Sequence, residues 1–214
     1  MKRRLLIIAL LLACAIAAAQ ESTTNELRRR ALLGDVQAET GLGLLYKAGG
    51  GGVQQNDVTA VYWFRQAAEQ GYAPGQYNLG VMYRNGQGGL PKDESSAVHW
   101  YRLAADQEFA PAQNNLAWIL TTSANPQLRN PGTALEFALK AVAAARNWKN
   151  PGQLCMYQDT LAEIYYELGR YESAVRTEEE ALTLLSSDDK NRTEYEGHLT
   201  KYRRALAAVG KPGK

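Results

Sequence analysis

The sequence predicts an all-α solenoid of helix pairs, and three observations carry that prediction. Residues 73–107 slide back by 37 onto residues 36–70 without a gap. Leu42, Gly43 and Tyr46 then recur as Leu79, Gly80 and Tyr83, and Ala60, Val61, Trp63, Arg65, Ala67, Ala68 and Gln70 recur as Ala97, Val98, Trp100, Arg102, Ala104, Ala105 and Gln107. Each copy holds two helix-length apolar patterns around a glycine-rich turn, and a fixed period in the 30s built from helix pairs is how an α-solenoid reads in sequence. Alanines seven apart persist beyond the two copies, at Ala134 and Ala141 and again at Ala174 and Ala181, on one face of a helix in each case.

The chain opens with a segment of another kind, 1–19: Lys2, Arg3 and Arg4, an apolar run from Leu5 to Ile16, and small residues, the layout of a secretory signal peptide. The run is shorter than the roughly 20 residues a spanning helix needs. Ala17-Ala18-Ala19 offers cleavage before Gln20, which would release an exported, periplasmic product. Leu11-Leu12-Ala13-Cys14 resembles a bacterial lipobox, which would lipidate Cys14 and make it the only membrane attachment. Cleavage after Ala19 is the expectation adopted.

Residues 20–34 are a polar lead-in and one helix, 26–33, closed by Gly34. The first full unit, 35–71, has helix A at 36–47, a glycine-rich loop, and helix B at 57–70 capped by Asn56; the second, 72–108, repeats this with Asp93 as the cap. Gly43 and Gly80 stand where paired helices cross, with Trp63 and Trp100 as the facing bulk. Gly71 suits a helix end that Glu108 replaces in the second copy. The third unit, 109–146, starts in the same style at Ala110-Pro111 and reads as helix A at 112–121, extra length between Ala117 and Ala134, and helix B at 131–145 after Asn130-Pro131. The fourth, 150–186, opens at Asn150-Pro151 and carries helices at 153–168 and 171–185. Residues 187–210 give a closing helix, 192–209, apolar at Leu199, Tyr202, Leu206 and Val209, before a short tail.

Leu-Gly-x-x-Tyr, Gly-x-Gly-Gly and Ala-Val-x-Trp-[Phe/Tyr]-Arg-x-Ala-Ala-x-Gln, twice in register, resemble the Sel-one-like repeat, a relative of the tetratricopeptide repeat. Leu161, Ala162, Tyr165, Gly169, Tyr171, Ala174 and Ala181 resemble the ordinary tetratricopeptide repeat, with Gln158 and Ser186 where that family often has Trp and Pro, and the helix pair of 109–146 is expected to be tetratricopeptide-like as well. The resemblance implies a right-handed α-solenoid of antiparallel helix pairs whose A helices line a concave groove for peptides or partner helices. It selects Thr40, Leu44, Lys47, Tyr77, Val81, Arg84, Asn85, Asn114, Trp118, Thr121, Asp159, Glu163 and Tyr166 as the groove, basic at one end and acidic at the other. A polypeptide with asymmetric charge would suit it.

Composition excludes other classes. Three of the 24 basic side chains lie in the leader, leaving 21 against 22 acidic ones, so a polyanion reader is not expected. After cleavage Cys155 is the one cysteine, which rules out an internal disulfide and a Cys-based zinc site. His99 and His198 belong to no metal-binding or catalytic motif, no Ser stands in Gly-x-Ser-x-Gly, and the glycines at 49–52 belong to the repeat turn. Glu163 and Glu167 share a helix face, and Glu178, Glu179 and Glu180 read as surface charge. No metal and no cofactor are expected. The reading is a non-enzymatic protein-interaction adaptor of the cell envelope. Its rivals are a lipid-anchored subunit of a secretion or exopolysaccharide assembly and, by the resemblance, an enzyme or inhibitor acting on cell-wall or β-lactam ligands.

Overall fold

The computed structural model describes residues 22–148 and 150–209. The leader 1–19, with Cys14 and the cleavage site, and the tail 211–214 lie outside the described residues. Among the described residues there are ten helices and no β-strand: α1 (22–32), α2 (Val36–Ala48), α3 (Asp57–Glu69), α4 (Ala73–Asn85), α5 (Glu94–Ala105), α6 (Ala110–Thr122), α7 (Pro131–Ala145), α8 (Pro151–Glu167), α9 (Tyr171–Thr183) and α10 (Arg192–Val209). The fold is all-α and made of repeated helix pairs. Helices α6 and α8 begin two residues earlier than periodicity predicts because each takes a proline into its first turn, where no amide hydrogen bond is lost. The chain forms two compact units, Met1–Leu103 and Ala104–Lys214.

In the first unit α2 packs on α3, α3 on α4, and α2 also meets α4. The crossings are set by glycine. A Cβ on Gly43 would meet the Phe64 ring, and one on Gly80 would meet the Tyr101 ring. Phe64 and Tyr101 are fully buried, so they, and not Trp63 and Trp100, fill the crossings; the two tryptophans are half-buried at the edges of the cores. The helices start as the caps dictate: Asn56 accepts a hydrogen bond from the Thr59 amide, and Asp93 accepts from the Ser95 amide and the Ser96 hydroxyl.

One backbone hydrogen bond closes the A-to-B loop of each of the first three repeats. The Asn56 amide donates to Tyr46 O at 2.7 Å, the Asp93 amide to Tyr83 O at 2.9 Å, and the Asn130 amide to Leu120 O at 2.8 Å. These donors are 37 residues apart, as are Gly43, Gly80 and Ala117, and Ala60, Ala97 and Ala134. The third unit therefore contains no extra length between Ala117 and Ala134. Its loop has lost the glycine motif but not the span, because Asn125 and Ser123 supply local turns through their side chains.

In the second unit α6 packs on α7, α7 on α8, α8 on α9, α9 on α10, and α6 also meets α8. Its core joins Ala162 and Ala174 to Tyr202, and Cys155, Ala181 and Leu182 to Tyr195 and Leu199. Helix α10 thus supplies aromatic and apolar residues to cores begun by α8 and α9.

Candidate functional site

In the first unit the residues predicted for a groove separate by depth. Thr40 is buried, so it is not a lining residue, and its hydroxyl oxygen has no hydrogen-bond partner. Leu44 is 46% exposed, Asn85 is exposed with its amide 3.3 Å from Gln87 Oε1, and Lys47, Tyr77, Val81 and Arg84 are half-buried. Leu44 and Lys47 on α2 correspond to Val81 and Arg84 on α4 one repeat later, so neighbouring A helices present the same apolar-then-basic pair. Lys47 and Arg84 stand in the last turns of their helices, where a cation faces the negative end of the helix dipole. Neither forms an ion pair among the described residues.

The second unit treats its share of the predicted groove differently. Asn114 and Thr121 are buried, the latter donating its hydroxyl to Ala117 O at 2.8 Å, and only Trp118 on α6 is partly exposed. Asp159, Glu163 and Tyr166 do not form an open acidic end, because α10 lies on them. His198 Nδ1 sits 2.7 Å from Asp159 Oδ1; Lys201 Nζ donates to both Glu163 oxygens at 2.7 and 2.9 Å; and the Tyr202 hydroxyl donates to Glu163 at 2.8 Å. The Lys201 ammonium also stands 4.1 Å from the centroid of the Tyr166 ring, which packs 5.3 Å from that of Tyr202. Glu167, the other acid of that face, pairs with Arg129. The acidic face of α8 is occupied by α10.

Behind that face lies a group predicted for the surface. Glu178 on α9 is 0% exposed, unlike Glu179 and Glu180, and neither of its carboxylate oxygens meets an N–H or hydroxyl donor among the described residues. Burial, and then the adjacent Asp159 carboxylate, raise its pKa to about 8. Burial also raises Asp159, against the hydrogen bond and charge of His198. Cys155 is fully buried, and burial followed by the charges of Glu178 and Asp159 pushes its thiol up to about 12. On another side of α8, Gln158 donates to Glu180 at 3.2 Å at the rim of a cleft of about 380 Å³ between α7, α8 and α9, which Arg146 and Arg176 also line.

Residues 36–72, 73–109 and 110–145 match the family model described as Sel1 repeat, together just over half the chain. The chain belongs to the Sel1 repeat family. Sel1 repeats generally mediate protein–protein interaction, and the family is typically a non-enzymatic scaffold. The third match covers the unit expected to be tetratricopeptide-like. No curated protein matches the chain. A Sel1 repeat protein from Oxalobacter formigenes is similar in structure, with 24% identity over 84% of this chain and a TM-score of 0.59; this chain spans 49% of its length. BtubC from P. vanneervenii is similar at 18% identity over 92% of both chains, with a TM-score of 0.56. Both likenesses are of fold.

The Sel1 register also shows where Glu178 could have been found in the sequence. Counting from the paired alanines, Ala60 is followed by Phe64 and Ala67, Ala97 by Tyr101 and Ala104, and Ala174 by Glu178 and Ala181. Glu178 occupies the helix-B position that crosses helix A, and the flanking Glu179 and Glu180 disguise it as a solvated run. His198 and Tyr195 were legible only as members of an amphipathic helix.

Proposed function

We propose that this Sel1 repeat protein is a non-enzymatic adaptor that binds an acidic, partly apolar polypeptide segment on the A-helix face of its first unit. The observation that carries the reading is the repeated pair, Leu44 with Lys47 on α2 and Val81 with Arg84 on α4. Two apolar anchors beside two cations that form no ion pair among the described residues favour a segment that brings both apolar and carboxylate side chains. The charge-asymmetric ligand expected from the sequence gives way to an acidic one, since α10 engages Asp159 and Glu163. Cys155, fully buried with its thiol pushed up to about 12, is a poor nucleophile.

The leader pattern at 1–19 favours action in the cell envelope, as a periplasmic protein cleaved after Ala19; the sequence Leu11-Leu12-Ala13-Cys14 favours a lipid anchor as the second reading. An intact mass of the protein from its native host separates the two.

The binding reading is tested by selecting peptides from a displayed random library on the purified protein. Enriched peptides should carry Asp or Glu next to apolar residues and should lose binding to a Lys47→Glu, Arg84→Glu variant. Enrichment without acidic residues, or equal binding to both proteins, refutes the assigned surface.

A further inference from the structure

Asp159 on α8, Glu178 on α9 and His198 on α10 bring one ligand atom each to a single point, all within 4.8 Å of one another. The three helices are consecutive, and the three side chains are their inward contributions to the closing end of the second unit. Two carboxylates and an imidazole form a mixed oxygen and nitrogen set.

Glu178 makes this more than an acidic cluster. It is fully buried at a position where the first two repeats carry Phe64 and Tyr101, and a carboxylate there forfeits the packing of a ring. Neither oxygen meets an N–H or hydroxyl donor among the described residues, and the adjacent Asp159 carboxyl can share a hydrogen bond with it only when one of the two is protonated. A fully buried carboxyl group beside a part-buried one keeps its proton unless a positive charge stands between them. Three cationic side chains of α10 are engaged elsewhere, since Lys201 serves Glu163, Arg192 reaches Glu196 and the Leu182 and Leu185 carbonyls, and Arg203 reaches Glu179, while Arg204 is exposed. His198 contacts Asp159 through Nδ1 while its ring lies beside those of Tyr195 and Tyr202, and when neutral it offers a ring nitrogen as a ligand.

We propose that Asp159, Glu178 and His198 bind one divalent transition-metal ion of the zinc type, which clamps α10 onto α8 and α9. The charge fits, since two carboxylates and a neutral imidazole balance a divalent cation. Zinc takes oxygen and nitrogen ligands at about 2.0–2.2 Å, which sets ligand atoms roughly 3.3 Å apart in a tetrahedron. The 2.7 Å His198–Asp159 contact would open by roughly half an ångström to reach that spacing, and Glu178 would close in. Calcium is a poorer fit, because it takes about six to eight oxygen ligands and the site offers an imidazole and two carboxylates. The proposal stands apart from the peptide-binding surface, which lies in the other unit.

The test is equilibrium dialysis of the purified, tag-free protein against zinc, with elemental analysis of the bound ion, and cobalt(II) as a visible-absorption probe of the coordination. One zinc per chain is expected, with a rise in melting temperature that a chelator reverses. Glu178→Gln keeps the shape of the side chain and removes its charge; it should weaken binding by more than about 100-fold, above the loss seen for supporting residues around metals. His198→Ala should do the same and abolish the cobalt spectrum, while His99→Ala, in the first unit, should bind as the parent does. Circular dichroism checks that each variant folds. Failure of the parent protein to take up zinc overturns the proposal, whatever the variants do. So does uptake that Glu178→Gln and His198→Ala leave unchanged.

Discussion

A Cβ built on Gly43 would lie 2.5 Å from Cε1 of Phe64, so the ring of one helix occupies the place a side chain would take on the other. Gly43→Ala should therefore cost about 1–3 kcal/mol through overpacking, and Phe64→Ala about 3–5 kcal/mol through the cavity it leaves. Together they should cost less than the sum, since the missing ring makes room for the methyl. The third repeat already holds this combination, with Ala117 and Ala138 at the equivalent positions, both fully buried. A double-mutant cycle by urea denaturation measures the coupling, and strict additivity would contradict the assigned contact.

Glu108 has φ +62° at the position where the preceding repeat has Gly71 at +83°. A side chain in the left-handed region is strained, and here Glu108 caps α5 with its amide on Ala105 O, as Gly71 does on Ala68 O. Glu108→Gly should stabilise the protein by about 1 kcal/mol. Thermal unfolding should show a rise of about 2–4 °C, and a fall would mean that the side chain makes a contact that outweighs its backbone strain.

Glu39 is buried, and burial raises its pKa even though Gln70 donates to both of its oxygens. The equivalent positions are Gln76 and Gln113, whose amides donate to Ala68 O and Ala105 O. A carboxyl with a raised folded-state pKa contributes its stability below its unfolded pKa and loses it as pH rises through the folded value. The melting temperature of Glu39→Gln minus that of the parent should thus grow as pH climbs above the ordinary carboxylate range and then level off. A difference constant with pH would show that the ionised carboxylate is fully accommodated.

Glu163 accepts from Lys201 and from the buried Tyr202 hydroxyl. Lys201 is partly exposed, so Lys201→Ala should cost under about 1 kcal/mol. Glu163→Ala leaves the Tyr202 hydroxyl without an acceptor and should cost about 1–3 kcal/mol. Chemical denaturation ranks them, and the reverse order would place the weight of this contact on the surface ion pair.

Much of the fold was legible because a 37-residue period is recorded in Leu42, Gly43, Ala60 and Ala67 and their repeats, and because Asn56, Asp93 and Asn130 mark helix starts chemically. The site was legible only in part. Repeat resemblance placed Leu44, Lys47, Val81 and Arg84 on an accessible face, but it carries no information about a helix that follows the last repeat. Asp159, Glu163 and Tyr166 were assigned to solvent because nothing in the spacing of α8 announces that His198, Lys201 and Tyr202 will return to meet them. Glu178 was hidden for a different reason: composition in its neighbourhood contradicts its register, and register decides burial.

The loop-closing bond from Asn56, Asp93 and Asn130 has a consequence for the protein's ancestry and for its engineering. A stretch that begins and ends at the same register position can be duplicated or excised as a cassette, since each junction restores an existing bond and an existing cap. The number of recognition faces is then a heritable variable, adjustable in steps of 37 residues, while the histidine, lysine and tyrosine of α10 tie that helix to the pair before it.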